Sequence, residues 1–171
     1  MTDCTPIEKR QITEFEKYFN VKLMRDNKQK CGTTGDSWVT QSSDMLDSTM
    51  GYACLGKRIE FKFDKKSKTF GNVYCEYQQT SDGGSVYKES GCVKAVHDNC
   101  VVVIEAYRKN GTVSRYLIFD KETLPILIQA AHKKTTTTAG CNGNPLTSWT
   151  YGHLTKVEKA ESIANHMFFA K

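Results

Sequence analysis

In "KRIEFKFD", residues 57–64, charged and apolar side chains alternate. A strand period of two puts Ile59, Phe61 and Phe63 on one face and Glu60, Lys62 and Asp64 on the other. A carboxylate and an ammonium thus stand next to each other. In "NVYCEYQQ", residues 72–79, the same phase groups Val73, Cys75 and Tyr77 on one face and Tyr74, Glu76 and Gln78 on the other. Asp44 and Asp47 lie upstream, ahead of a hairpin. Carboxylates converging at a strand end are what Mg²⁺ needs, since it takes hard oxygen ligands. A lysine beside them offsets charge that builds on a phosphoryl group and helps to deprotonate a water. The chemistry implied is phosphodiester hydrolysis. For Glu60 and Lys62 alone an ordinary solvated strand face is the simpler reading, and Asp47 shifts the balance toward a site.

The elements that must position these groups follow from periodicity and punctuation. "TPIEKRQITEFEKYFN" offers Thr5 as N-cap, Pro6 at the first helical position, Glu8 in capping-box position and Ile12, Phe15 and Phe19 at helical spacing, so a helix ends near Asn20. Residues 25–48 read as a long irregular connection with a short strand at "SWVTQ". "TMGYACLG", "KRIEFKFD" and "NVYCEYQQ" then read as an antiparallel meander, turning at Leu55-Gly56-Lys57 and at "KKSKTFG". After the polar "TSDGGSVYKESG", the valine-rich "CVVVIEAY" and "VSRYLIFD" predict strands buried on both faces. "KETLPILIQAAHKK" predicts a helix that tolerates Pro125 near its first turn, "TTTTAGCNGNP" a loop, "LTSWTYGHLT" a short strand and "KVEKAESIANHMFFA" a closing helix. The expected fold class is α/β (α+β): a central mixed sheet of about five strands flanked by helices, in the order α-β-β-β-β-β-α-β-α.

Bulk properties bound the function. The chain has 171 residues, the size of one domain, so residues 1–171 are expected to form a single unit. No run is apolar enough for a membrane helix and "MTDCTPIEKRQ" is too acidic and polar for a secretory signal, which predicts a soluble, cytoplasmic protein without membrane contact. Seven cysteines without a C-x-x-C favour neither a disulfide framework nor a zinc knuckle. Cys54, Cys75, Cys92 and Cys100 lie in or beside apolar runs and are expected to be small buried hydrophobes. A net charge of +5 with basic clusters, among them Lys65, Lys66 and Lys68 and the pair Lys133 and Lys134, hints at a polyanionic partner.

Asp47, the hairpin and Glu60-Phe61-Lys62 resemble the PD-(D/E)XK nuclease superfamily. The longer stretches "IEFKFDKKSKTFGNVYCEY", "ESGCVKAVHDNCVVVI" and "YLIFDKETL" resemble a group of uncharacterised, largely phage-encoded proteins of that superfamily, over roughly residues 44–130. The resemblance implies a restriction-endonuclease-like sheet and a Mg²⁺- or Mn²⁺-dependent endonuclease acting on DNA. It implies Asp47, Glu60 and the backbone carbonyl of Phe61 as metal ligands and Lys62 as the catalytic lysine, with Glu76 or Gln78 as a further site residue. A helix-1 glutamate completes the site in some members, and Glu8 and Glu16 are the candidates. Many members dimerise to cut both strands, so a homodimer is among the states implied. The sequence departs from the pattern in lacking a proline before Asp47 and threonines in "SGCVKAVHDN". If the hairpin turns at Gly56, Asp47 falls beyond the pairing unless the strand bulges, for which Gly51 is suited.

Ser90 and Gly91 could present amides to a phosphate, or simply form a tight loop. Lys65, Lys66, Lys133, Lys134 and the hydroxyls of "HKKTTTT" suit DNA phosphates, and a solvated loop explains the latter equally. His97 is expected at the surface. Two other function classes compete: a non-catalytic module on the same fold that binds nucleic acid or protein, and a cysteine hydrolase built on Cys92 or Cys100 with His97.

Overall fold

The computed structural model describes residues 6–25, 37–42, 58–63, 66–81, 86–89, 91–138 and 149–170. Helix α1, Pro6–Phe19, buries Gln11, Ile12, Phe15 and Phe19 along one stripe. Asn20, with φ 50, takes the left-handed conformation that ends it and turns the chain into strand β1, Val21–Arg25. Strands β2, Ser37–Ser42, and β3, Arg58–Phe63, follow. The one-turn helix α2, Ser67–Phe70, precedes β4, Asn72–Ser81, and β5, Val86–Glu89. Helix α3, Gly91–His97, leads into β6, Val101–Tyr107, and β7, Ser114–Phe119. Helix α4, Thr123–Gln129, is followed by β8, Lys133–Thr138, and β9, Trp149–Lys156. Helix α5, Val157–Ile163, and strand β10, His166–Phe168, complete the described chain.

The fold is mixed α/β, with two sheets among the described residues: β1-β2-β3-β6-β7-β10 and β5-β4-β9-β8. In the first, β3 runs parallel to β6, Glu60 pairing with Val102 and Lys62 with Ile104, and the other neighbours are antiparallel. This corrects the expected meander, because β4 leaves the sheet of β3 and pairs with β5 and β9 instead. The physical reason lies in "KKSKTFG". Ser67 is buried and its Oγ accepts the Tyr107 N–H at 3.0 Å, while the Lys68 carbonyl accepts from Asn110 at 2.8 Å. Gly71, at φ +64, passes so close to Lys109 that an added Cβ would sit 2.8 Å from its nitrogen. The segment docks on the end of β6 instead of folding back on β3. The proposed partner strand at residues 49–56 lies outside the described residues.

Two further expectations are corrected. Lys133–Thr138 is a strand rather than a helix end and a loop, as suits four β-branched residues in a row. The closing helix stops at Ile163, and His166–Phe168 pairs with β7, where the Asn165 N–H donates to the Ile118 carbonyl at 2.8 Å. The element order is therefore richer than expected, with two additional short helices, α2 and α3, and with strands β1, β5, β8 and β10.

The first sheet separates two cores. On one side Ile59, Phe61, Val101, Val103, Tyr116 and Ile118 meet Ile12, Phe15 and Phe19 of α1. On the other, Val102, Ile104, Ala106, Leu117 and Phe119 meet Val73 and Cys75 of β4 and the apolar sides of α3, α4 and α5. β6 is buried at each of its first six positions, as its valine-rich run predicts. Among the described residues no helix is long and apolar enough to cross a membrane.

Candidate active site

Alternation along β3 does what the sequence predicts: Ile59 and Phe61 point into the α1 core. Glu60 and Lys62 therefore face the layer formed by β4 and α3, so they do not lie on a solvated strand face. Glu60 is only 8% exposed. The Lys62 side chain retains 34% of its exposure, and its Nζ stands 2.5 Å from Glu60 Oε1. Burial works against the Lys62 charge, but the neighbouring Glu60, helped by Cys92 and Glu76, outweighs it and holds the ammonium above the ordinary lysine range. Lys62 is thus a fixed cation at neutral pH, suited to holding charge on a phosphate and not to accepting a proton.

Around this pair stand Cys75 and Cys92, both buried. Their hydrogen bond, with burial, pushes the Cys75 thiol up and leaves Cys92 the more acidic of the two, while Lys62 favours the thiolate of each. Glu76 lies within electrostatic reach of Lys62. Gly91 secures that arrangement. At φ +60 it begins α3 against β4, and a Cβ there would lie 2.5 Å from the Glu76 Cβ.

Gln78 changes face. The β4–β9 register shifts between Glu76 and Gln78, so the residue expected in phase with Glu76 is carried to the face of Cys75, opposite Tyr151. A one-residue bulge leaves no signature in "EYQQ" that alternation could reveal. Asp44, Asp47, Lys65 and Ser90 lie outside the described residues. Lys66 is exposed ahead of α2, and Lys133 and Lys134 are exposed on β8, opposite Leu154 and His153. Of the helix-1 glutamates, Glu16 accepts the Leu23 N–H at 2.8 Å and pairs with Lys22 at 3.5 Å, which commits it to the α1–β1 junction. Glu8 lies one turn before Gln11 on the same side of α1, and Gln11 reaches β3: its Nε2 donates to the Lys62 carbonyl at 3.1 Å.

Gln11 also opens a network that strand and helix patterns did not single out. Its Nε2 lies 3.1 Å, and Arg10 Nη2 2.7 Å, from Glu105 Oε2. Arg10 donates to the Tyr116 hydroxyl at 3.1 Å, and that hydroxyl donates to Glu14. Glu105 is fully buried, on the α1 face of the first sheet. The signal was present: a glutamate inside "VVVIEAY", a strand buried on both faces, demands partners.

His97 is exposed, 2.9 Å from the Glu89 carboxylate, as a surface residue is expected to be. Cys100 is buried and its thiol is pushed up to about 11, chiefly by that burial, which removes the thiolate a nucleophile needs at neutral pH.

The donor set suits a hard cation in kind. Glu60 and Glu76 supply carboxylate oxygens beside Lys62, and oxygen is what Mg²⁺ and Mn²⁺ take. Among the described residues no group of three or more His, Cys, Asp and Glu is close enough to hold a metal ion. The further carboxylate expected of such a site, Asp47, lies outside them.

Comparison with known proteins returns no match: no family model fits the sequence, and neither a curated protein nor a solved structure matches the chain.

Proposed function

We propose that the chain is a metal-dependent nuclease that hydrolyses DNA phosphodiester bonds as an endonuclease, on a restriction-endonuclease-like arrangement of the first sheet. One observation carries the reading: a carboxylate and an ammonium, Glu60 and Lys62, are drawn 2.5 Å apart on the inward side of a central strand. A charged pair in such a place loses hydration that its mutual attraction barely offsets, so stability alone is a weak reason for it. The PD-(D/E)XK-like spacing of Asp47, Glu60 and Lys62 supplies the reason in chemistry.

In this reading Asp47, Glu60 and the Phe61 carbonyl hold Mg²⁺ or Mn²⁺, with Glu76 as a further ligand, while Glu8 stands on α1, which packs against the opposite face of the sheet. The ion, when bound, supplies Lewis acidity toward the phosphate. Lys62 presents a permanent positive charge to the phosphoryl oxygens, where negative charge grows in the transition state. Glu60 fixes the direction of that ammonium. Lys66, Lys133 and Lys134 contribute phosphate contacts away from the reacting bond. DNA as partner, a homodimer that cuts both strands, and a cytoplasmic setting belong to the same proposal.

Plasmid nicking with Mg²⁺ or Mn²⁺ tests it. Wild-type protein is expected to cut and to stop on adding chelator, and Lys62→Ala and Glu60→Gln to lose at least about a hundredfold in rate while melting as the wild type does. Failure of the wild type to cut with either ion, or undiminished cutting by Lys62→Ala, would falsify it. A second reading, a nucleic-acid-binding module that does not cut, is favoured by the directness of the ion pair, in which each charge already neutralises the other. It predicts gel shifts that persist in both variants with no hydrolysis under Mn²⁺.

A further inference from the structure

The face of the second sheet that carries Val73 and Cys75 continues past the β4 bulge into a set of rings. Cys75 lies opposite His153, and Gln78 opposite Tyr151, in the β4–β9 ladder. Tyr77 keeps to the same side, as alternation along β4 expects. Its ring centroid stands 4.8 Å from that of His153 and 6.4 Å from that of Tyr151, with interplanar angles of 42° and 49°. All three residues are half-buried, so each keeps part of its surface open. A cation stands on the adjoining strand. Lys134 lies opposite His153 on β8 and is exposed, and Lys62 is within electrostatic reach of Cys75, the direct ladder partner of His153.

We propose that Tyr77, Tyr151 and His153 form a stacking platform for unpaired nucleobases, with Lys134 holding a backbone phosphate beside it. The substrate this selects is single-stranded or locally opened nucleic acid. Bases in a duplex keep their faces against one another, so only unpaired ones can lie on an aromatic side chain, and such stacking accepts every base because every base has a π-face. Burial, with Lys134 adding, holds the His153 ring below its ordinary pKa, so it meets a base as a neutral aromatic. That the strand then runs on to Lys62 rests on the nuclease reading above, whereas the stacking does not.

The test is the affinity of a short labelled oligothymidylate and of a duplex of equal length, measured by fluorescence anisotropy in chelator, where nothing is cut. Wild-type protein is expected to prefer the single strand. Tyr77→Ala and His153→Ala are each expected to weaken that binding roughly 5- to 100-fold, and Tyr77→Phe to retain it. A 2-aminopurine base in the oligonucleotide is expected to be quenched on binding wild-type protein, a readout that needs no variant to fold. Alanine variants that bind as the wild type does, tighter binding of the duplex, or an unquenched base analogue overturn the platform. Nicking assays on the same samples keep the two ideas apart. A wild type that quenches the base analogue but never cuts sinks the nuclease and leaves the platform, and one that cuts while the alanine variants bind normally does the reverse.

Discussion

Glu105 is a carboxylate with no exposed surface, and its charge is tolerated because Arg10 and Gln11 reach down from α1 to one of its oxygens. Removing Arg10 leaves that charge with a neutral amide alone. A fully buried pair broken in this way loses about 3–5 kcal/mol. The Arg10 side chain is 40% exposed, and water screens its share, so Arg10→Ala is expected to lose on the order of 2 kcal/mol. Urea denaturation reads this directly. Glu105→Gln in the Arg10→Ala background should recover part of the loss, since it removes the charge left behind; no recovery would mean that the loss comes from packing of the arginine stem instead. At this scale the sequence was readable where chemistry and periodicity coincide, as at Glu60 and Lys62. It was opaque where a group's meaning depends on what lies across the sheet, as with Gln11, whose role is set by the Lys62 carbonyl and Glu105.

Between β7 and α4 one residue organises two junctions. Asp120 Oδ1 accepts the N–H groups of Glu122 at 2.9 Å and Thr123 at 3.0 Å, which starts α4, while Asp120 Oδ2 accepts from Asn165 Nδ2 at 3.0 Å, which anchors the approach to β10. Partial burial raises the Asp120 pKa, but the backbone donors of Thr123 and Glu122, then the side chains of Thr123 and Asn165, outweigh it and set the group below the usual carboxylate range. A depressed folded-state pKa means that the stabilisation is fully present above the unfolded carboxylate pKa and disappears as pH falls through the folded value. Thermal melts are thus expected to lose stability below about pH 4, more steeply in wild-type protein than in Asp120→Asn, which has no proton to gain there. Equal acid sensitivity in the two proteins would assign it to other carboxylates. The same junction explains why the closing helix was overread: "SIANHMFFA" has helical spacing, yet Asn165 bonds to β7 and Asp120, and Phe168 finds a stacked ring in Tyr116 at 4.7 Å. Local pattern set the elements with long strong periods, α1, β3, β6 and β7. It could not set β3's neighbour, because a parallel partner is separated in sequence by a whole crossover that here contains part of another sheet.

That crossover has a consequence for the molecule as a whole. The chain leaves the first sheet after β3, contributes β4 and β5 to the second, and returns through α3 to place β6 beside β3. β6 then forms a wall shared by both cores, with Val101 and Val103 on the α1 side and Val102, Ile104 and Ala106 on the other. Neither core can be lost without stripping one face of a strand that the other requires, so the two are expected to unfold together. Phe15→Ala opens a cavity against α1, and Leu127→Ala opens one under α4. Each is expected to lower stability by about 3–5 and about 2–5 kcal/mol respectively, and each should move a single transition seen alike by tryptophan fluorescence and far-ultraviolet circular dichroism. The pair is far enough apart, on opposite faces of the sheet, for the two losses to add in the double variant. If instead Phe15→Ala splits the melt, so that the α1 side is lost first and the second sheet persists, then β6 does not couple the cores, and the site face of β3 is held by the β4 and α3 layer alone.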